Sequence, residues 1–136
     1  MGNKNRVQRV CVIDDDPIFL YGIKRIMNEI DFCDEIIVYE NGESALNELG
    51  ALIIEGKKLP DVILLDLNMP IMDGWVFLDD FIKIPNHNQE HLSLFILSSS
   101  INPNDIEKAK NYPIVDNFIS KPVTIADLKH ILKDLV

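Results

Sequence analysis

Asp14 and Asp15 are neighbouring acids at the end of an apolar run, Asp66 closes a second run, Ser98 follows a third, and Lys121 precedes Pro122 after a fourth. Gathered into one small volume, three such carboxylates repel one another, and they stay together only if some are protonated or a cation sits among them. A hard divalent ion answers that repulsion. Magnesium takes one or two carboxylates, keeps waters and completes its octahedron with phosphate oxygens of a substrate. Lys121 then offers a point charge to one phosphoryl oxygen, the Ser98 hydroxyl donates to another, and the remaining acid, Asp66, can act as nucleophile.

Each residue also has a plainer reading when taken alone. Asp66 could be a turn former before Asn68, Pro70 and Gly74, Lys121 a solvated lysine at a strand end, and Ser98 to Ser100 an entry into a loop. Asp16 reads as a helix cap before Pro17 and is left out of the site. His87 and His91 are four apart and could share a helix face, yet without a third ligand nearby in sequence they read as a solvated pair in a polar loop, and no transition metal is assigned.

Only a particular fold makes the acids, hydroxyl and lysine neighbours. Five short apolar runs, at residues 7–13, 35–39, 62–67, 92–97 and 117–120, alternate with segments of helical period, the pattern of parallel strands joined by helical crossovers. Leu20, Ile23, Met27 and Ile30 mark a first helix, opened by Asp16 and Pro17. Asn41 caps a second, with Ala45, Leu46, Leu49, Leu52 and Ile53, which ends near Gly56. A third follows Gly74, and Asn102 with Pro103 opens a fourth carrying Ile106 and Ala109. Thr124 caps a fifth with Ile125, Leu128, Leu132 and Leu135 on one face. The third and fourth runs are apolar almost throughout and read as central strands covered on both faces, which predicts a doubly wound α/β sheet. In such a sheet ligands bind beyond the carboxyl ends of the strands, where the winding reverses. All of the candidate residues fall at that edge.

Composition narrows the classes of function. At 136 residues with 47% hydrophobic and 26% charged side chains, the chain suits one packed soluble domain, residues 1–136, with about 1–6 as a flexible N-terminus. No apolar stretch has the length of a membrane span and the start lacks a signal-peptide core, so no membrane association and a cytoplasmic location are expected. Cys11 and Cys33 form neither a disulfide framework nor a metal pair by spacing. The net charge of −9 repels phosphate backbones and anionic lipid, so protein partners are expected and nucleic acid is not.

Four motifs carry a resemblance to a known family. Val10-Cys11-Val12-Ile13-Asp14-Asp15-Asp16-Pro17 resembles the acidic-pair motif of response-regulator receiver domains of bacterial two-component systems, in the stand-alone, chemotaxis-regulator-like form. The segment from Pro60 to Gly74, centred on Asp66-Leu67-Asn68-Met69-Pro70, is similar to the phosphoacceptor segment of that family. Phe95-Ile96-Leu97-Ser98-Ser99-Ser100 resembles the strand ending in a switch Thr or Ser, and Phe118-Ile119-Ser120-Lys121-Pro122 the final aromatic, lysine and proline. The resemblance implies a flavodoxin-like five-stranded parallel sheet of order 2-1-3-4-5 flanked by five helices. It also implies Asp66 as phosphoacceptor, Mg2+ held by Asp14, Asp15, Asp66 and the backbone carbonyl of Asn68, and Lys121 against the phosphoryl group with a cis bond to Pro122. Ser98 and Phe118 would be the switch pair, reshaping the surface of the fourth helix, fifth strand and fifth helix, while Asn68 and Ser100 would tune hydrolysis. A histidine kinase or histidine phosphotransfer protein would be the donor, to a monomer or weak homodimer with an unknown downstream protein target. Serine replaces the commoner threonine at position 98, and Phe118 lacks the hydroxyl that some members carry.

Three other readings compete. A haloacid-dehalogenase-like phosphohydrolase would carry its nucleophile on the first strand with a second acid two residues later, whereas Asp66 ends the third and position 68 is Asn. A scaffold without phosphorylation would have no use for buried repelling acids. A DNA-binding regulator would need an output module, and with the chain ending at Val136 straight after the fifth helix none is expected. Within the receiver reading, a relay that passes phosphate onward and a switch that binds a target directly both stay open, and no enzymatic activity beyond its own phosphorylation and dephosphorylation is expected.

Overall fold

The computed structural model describes residues 6–69 and 72–135. Five strands alternate with five helices: β1 (Val7–Ile13), α1 (Pro17–Glu29), β2 (Cys33–Tyr39), α2 (Gly42–Ile54), β3 (Val62–Asp66), α3 (Gly74–Phe81), β4 (Ser93–Ser98), α4 (Pro103–Ala109), β5 (Val115–Ser120) and α5 (Ile125–Leu135). They form one parallel sheet in the order β2-β1-β3-β4-β5, the expected doubly wound topology.

Alternation along the strands builds a core on each face. Cys11 and Ile13 of β1 with Ile63 and Leu65 of β3 point to a layer formed with Ala45, Leu49, Phe77, Leu78 and Phe81 of α2 and α3. Their neighbours Val10, Val12, Val62 and Leu64 point the other way, onto Leu20, Ile23 and Met27 of α1 and Leu128, Ile131 and Leu132 of α5. This two-residue period of a pleated strand explains why β3 is buried at every position.

Caps set the helix starts. Asp16 accepts from the Ile18 and Phe19 amides, Asn41 from Ser44, Asp73 from Val76 and Asn102 from Asp105. Thr124 and Asp127 cap α5 reciprocally, each backbone amide donating to the other's side chain at 2.9 and 3.1 Å. Gly56, with φ of 72°, ends the turn after α2 in the left-handed region that glycine adopts without a Cβ penalty.

Several details differ from the sequence expectations. Ile30 is the C-cap residue of α1 and lies outside the helix. β2 and β5 begin two residues earlier than their apolar runs, because pairing reaches Cys33, opposite Val7, and Val115, opposite Leu94, with Asp116 in a bulge whose carboxylate accepts from the Leu94 amide. Ile106 is 47% exposed, so α4 gives the core only Ala109. Arg6, expected in a flexible N-terminus, binds Asp31 and Asp34 at 3.1 and 2.6 Å and donates to the Cys33 carbonyl; residues 1–5 lie outside the described residues. Pro70 and Ile71 of the phosphoacceptor-like motif and Val136 lie outside them too. Both cysteines are free, and burial pushes the Cys33 thiol up to about 11 and that of Cys11 further. No helix among the described residues is long and apolar enough to cross a membrane.

Two glycines in helices make opposite demands. A Cβ on Gly74 would meet the Asp66 carbonyl oxygen at 2.8 Å and Leu67 Cα at 2.9 Å, whereas one on Gly22, exposed within α1, would meet nothing within 4 Å. Gly74→Ala is therefore expected to destabilise the fold by about 1–3 kcal/mol, the cost of overpacking against backbone. Gly22→Ala should stabilise by about 0.5–1 kcal/mol, the propensity difference in an exposed helix. Urea unfolding of both variants against the wild type measures the two signs.

Candidate functional site

The site grows from the carboxyl ends of β1 and β3, the pair of strands at which the winding direction changes. Register places Ile13 opposite Leu65, so the next residue of each strand, Asp14 and Asp66, emerges side by side. Asp14 is fully buried and Asp66 is 4% exposed, while Asp15 is half-buried. Ligand oxygens of Asp14, Asp15 and Asp66 all lie within 4.8 Å of one another.

Lys121 is the cation these acids share. Its backbone amide donates to the Ser98 carbonyl at 2.9 Å, and its bond to Pro122 is cis. From there the side chain returns over the sheet, with Nζ at 2.6 Å from Asp14 Oδ2 and 3.4 Å from Asp66 Oδ2. The close approach to Asp14 is a buried ion pair, and it is the contact that offsets the charge of this carboxylate. Nζ also stands 4.4 Å from the centre of the Phe19 ring, a cation–π contact. Phe19 was not among the sequence candidates. Its place three residues after the capping Asp16 was the available signal, because the first turn of α1 passes beside the strand ends.

Backbone amides orient the acids. Asp14 Oδ1 accepts from the Asp16 amide at 2.9 Å, and Asp66 Oδ1 from the Asn68 amide at 3.3 Å. Ser98, 2% exposed, ends β4 and faces Ser120 in register; its Oγ accepts from the Ser100 amide at 3.1 Å. Asn68 and Ser100 are exposed at the rim. Phe118 lies opposite Ile96, half-buried against the core layer of α2 and α3, and so outside the acid cluster.

The two histidines sit in the loop that precedes β4, at the other end of the sheet. They are half-buried and bonded, where full solvation was expected: His87 Nδ1 lies 2.8 Å from the Ile84 carbonyl and His91 Nε2 2.7 Å from that of Leu59. Each ties the loop to a backbone carbonyl.

Burial raises the Asp66 carboxyl above its ordinary 3.8, and the negative charge of Asp14 raises it further; Lys121 and the Asn68 amide pull the other way without cancelling the shift. The folded protein thus holds this proton more tightly than the unfolded chain. Its contribution to stability is fully present below about pH 4, and is lost as pH rises through the raised value.

These features describe an α/β domain with an acid, hydroxyl and lysine pocket at its topological switch point. The chain belongs to the response regulator receiver domain family, whose model matches residues 10–133. A two component response regulator from Cytophaga hutchinsonii is 31% identical with a TM-score of 0.85, covering 96% of this chain and 97% of its own. Sporulation initiation phosphotransferase F of Bacillus subtilis is 29% identical over 126 residues, 93% of this chain and 91% of its length. The receiver domain of sensor histidine kinase PA1611 from Pseudomonas aeruginosa, with a magnesium ion coordinated in its active site cleft, shares the fold at 18% identity, a TM-score of 0.75 and coverage of 95% and 97%. Other curated relatives are longer, and the chain spans 31% of one and 34% of another. Phosphorylation on aspartate is typical of receiver domains, which act in two-component signalling with histidine kinases or phosphotransfer proteins and bind Mg2+ at their acidic pocket.

Asp66→Asn removes one of two adjacent buried charges while keeping the shape. In the presence of a chelator it is expected to stabilise the fold at pH 7 by on the order of 1 kcal/mol, the scale of single-site effects, with the gain shrinking toward pH 4. Thermal unfolding of both proteins across pH tests the sign.

Proposed function

We propose that this protein is a phosphoryl-accepting signalling switch in which Asp66 takes a phosphoryl group from a histidine kinase or a histidine phosphotransfer protein. The observation that carries the reading is the meeting of Asp14, Asp15 and Asp66 oxygens within 4.8 Å at the switch point, with Lys121 against two of them.

The donor set fits magnesium. It is composed of oxygens alone, and three carboxylates face a single ammonium, that of Lys121, which leaves negative charge for a hard cation to offset. Asp14, Asp15, Asp66 and the backbone carbonyl of Asn68 would hold the ion. When bound it offsets negative charge on the phosphoryl oxygens during transfer.

The chain's own residues supply the rest. A carboxylate oxygen of Asp66 bonds to phosphorus as the bond to the donor's imidazole breaks. Lys121, drawn toward Asp66 and Asp14, takes one phosphoryl oxygen. Because the Ser98 Oγ already accepts from the Ser100 amide, its own hydrogen is free to donate to another. Movement of Ser98 toward the phosphoryl group opens space for the half-buried Phe118 ring, and the new contacts favour one of two packings of α4, β5 and α5. Asn68 and Ser100 at the rim govern the approach of the water that hydrolyses the acylphosphate.

The chain acts as a single receiver domain, residues 1–136, without catalysis of another substrate, as a cytoplasmic monomer or weak homodimer whose downstream partner is a protein. Its charge of −9 disfavours nucleic acid.

Intact-mass spectrometry after incubation with acetyl phosphate tests the proposal. The wild type should gain one phosphoryl group with Mg2+ and none with a chelator, and Asp66→Asn should gain none in either. A labelled Asp66→Asn protein would show that another residue is the nucleophile. In Lys121→Ala, the phosphorylation-dependent change in amide exchange over α4, β5 and α5 should be lost.

A further inference from the structure

α4 is weakly anchored by its own residues. It is seven residues long, buries only Ala109 and leaves Ile106 47% exposed. The segment between α4 and β5 is better held. The Tyr112 ring is buried, its hydroxyl donates to Asp79 Oδ1 of α3 at 2.5 Å, and its carbonyl accepts from the Val115 amide at 2.9 Å, at the start of β5. The Asp79 carboxylate, as acceptor, pushes the Tyr112 phenol up to about 12, so the hydroxyl keeps the proton it donates. The Trp75 ring lies 5.6 Å from that of Tyr112 at 33°, and the Lys108 ammonium of α4 stands 4.8 Å from the Trp75 ring centre.

Trp75 is also the second residue of α3, next to Gly74, where a Cβ would meet the Asp66 carbonyl oxygen at 2.8 Å. The Gly74 amide donates to the Leu67 carbonyl at 2.9 Å. The backbone that carries Asp66 therefore packs against the start of the helix whose first turn holds Trp75.

We propose that Trp75, Tyr112 and Asp79 form a clamp that positions α4 on α3 and links the backbone around Asp66 to α4. The rings and the carboxylate act as positioning residues and touch no phosphoryl group. Two cation and hydrogen-bond contacts, from Lys108 and the Tyr112 hydroxyl, give the clamp a direction that apolar packing alone lacks. Its part in switching rests on Asp66 being the phosphoacceptor; its part in holding α4 does not.

The test uses the full chain as wild type, Tyr112→Phe, Asp79→Ala and Asp79→Asn. Readouts are hydrogen exchange along the chain, intact mass after acetyl phosphate with Mg2+, and emission of Trp75, the single tryptophan. Loss of a hydrogen bond to a charged acceptor should speed exchange in α4 about tenfold in Tyr112→Phe and Asp79→Ala, with α1 and α5 unchanged. Asp79→Asn, which keeps an acceptor oxygen, should restore part of the protection. Asp66 should still be labelled in every variant, and the change in Trp75 emission on labelling should fall below about half of the wild-type change in Tyr112→Phe and Asp79→Ala, as expected when an anchoring contact is lost. Exchange in α4 that matches the wild type, or that rises equally along the whole chain, would overturn the clamp. An unlabelled wild type would instead refute Asp66 as phosphoacceptor, and the exchange pattern in α4 would still decide whether the clamp holds the helix.

Discussion

Two carboxylates, Asp14 and Asp66, are buried side by side, and their repulsion is the constraint around which the rest of the structure is arranged. Neither can turn into solvent without leaving the strand end that carries it. Their spacing is inherited from the parallel register of β1 and β3, which is itself locked by apolar side chains on both faces of the sheet. Core packing thus stabilises an arrangement that electrostatics opposes. Burial first, and then the negative charge of Asp14, raise the Asp66 carboxyl above its ordinary value.

Lys121 resolves part of that tension and brings in the far side of the sheet. It originates at the end of β5, separated from β3 by β4, and reaches Asp14 only because its backbone is fastened to the Ser98 carbonyl. The same β5 carries Phe118 against the core layer of α2 and α3, while its neighbour Ile119 faces the layer of α1 and α5. One strand therefore joins the charged pocket to both helical layers. The two-residue alternation of a pleated strand is what lets its neighbouring side chains serve opposite faces.

Much of the fold was legible in the sequence because burial leaves a local period. The runs at 7–13 and 62–67 and the apolar stripe from Leu20 to Met27 each reflect one element meeting one core, and Asp16, Asn41, Asn102 and Thr124 announce helix starts through short-range capping chemistry. Local signals failed where a distant partner decides. Arg6 looked like a tail until Asp31 and Asp34 were beside it, and His91 looked solvated until the Leu59 carbonyl was within reach. Ile106 sat on the expected apolar face, yet α4 is too short and too peripheral to bury it.

The sequence by itself determined the five-fold alternation of strand and helix, the strand ends on which Asp14, Asp15, Asp66, Ser98 and Lys121 stand, and the caps, since each arises from interactions within a few residues. Tertiary structure alone decided which carboxylates share Lys121, that Phe19 lies under its ammonium, that the Gly74 backbone abuts Asp66, and that Tyr112 bonds to Asp79. These pairs are far apart in the chain or separated by loops. Their distances are set by strand order and by the path of the backbone between layers, which no local periodicity encodes.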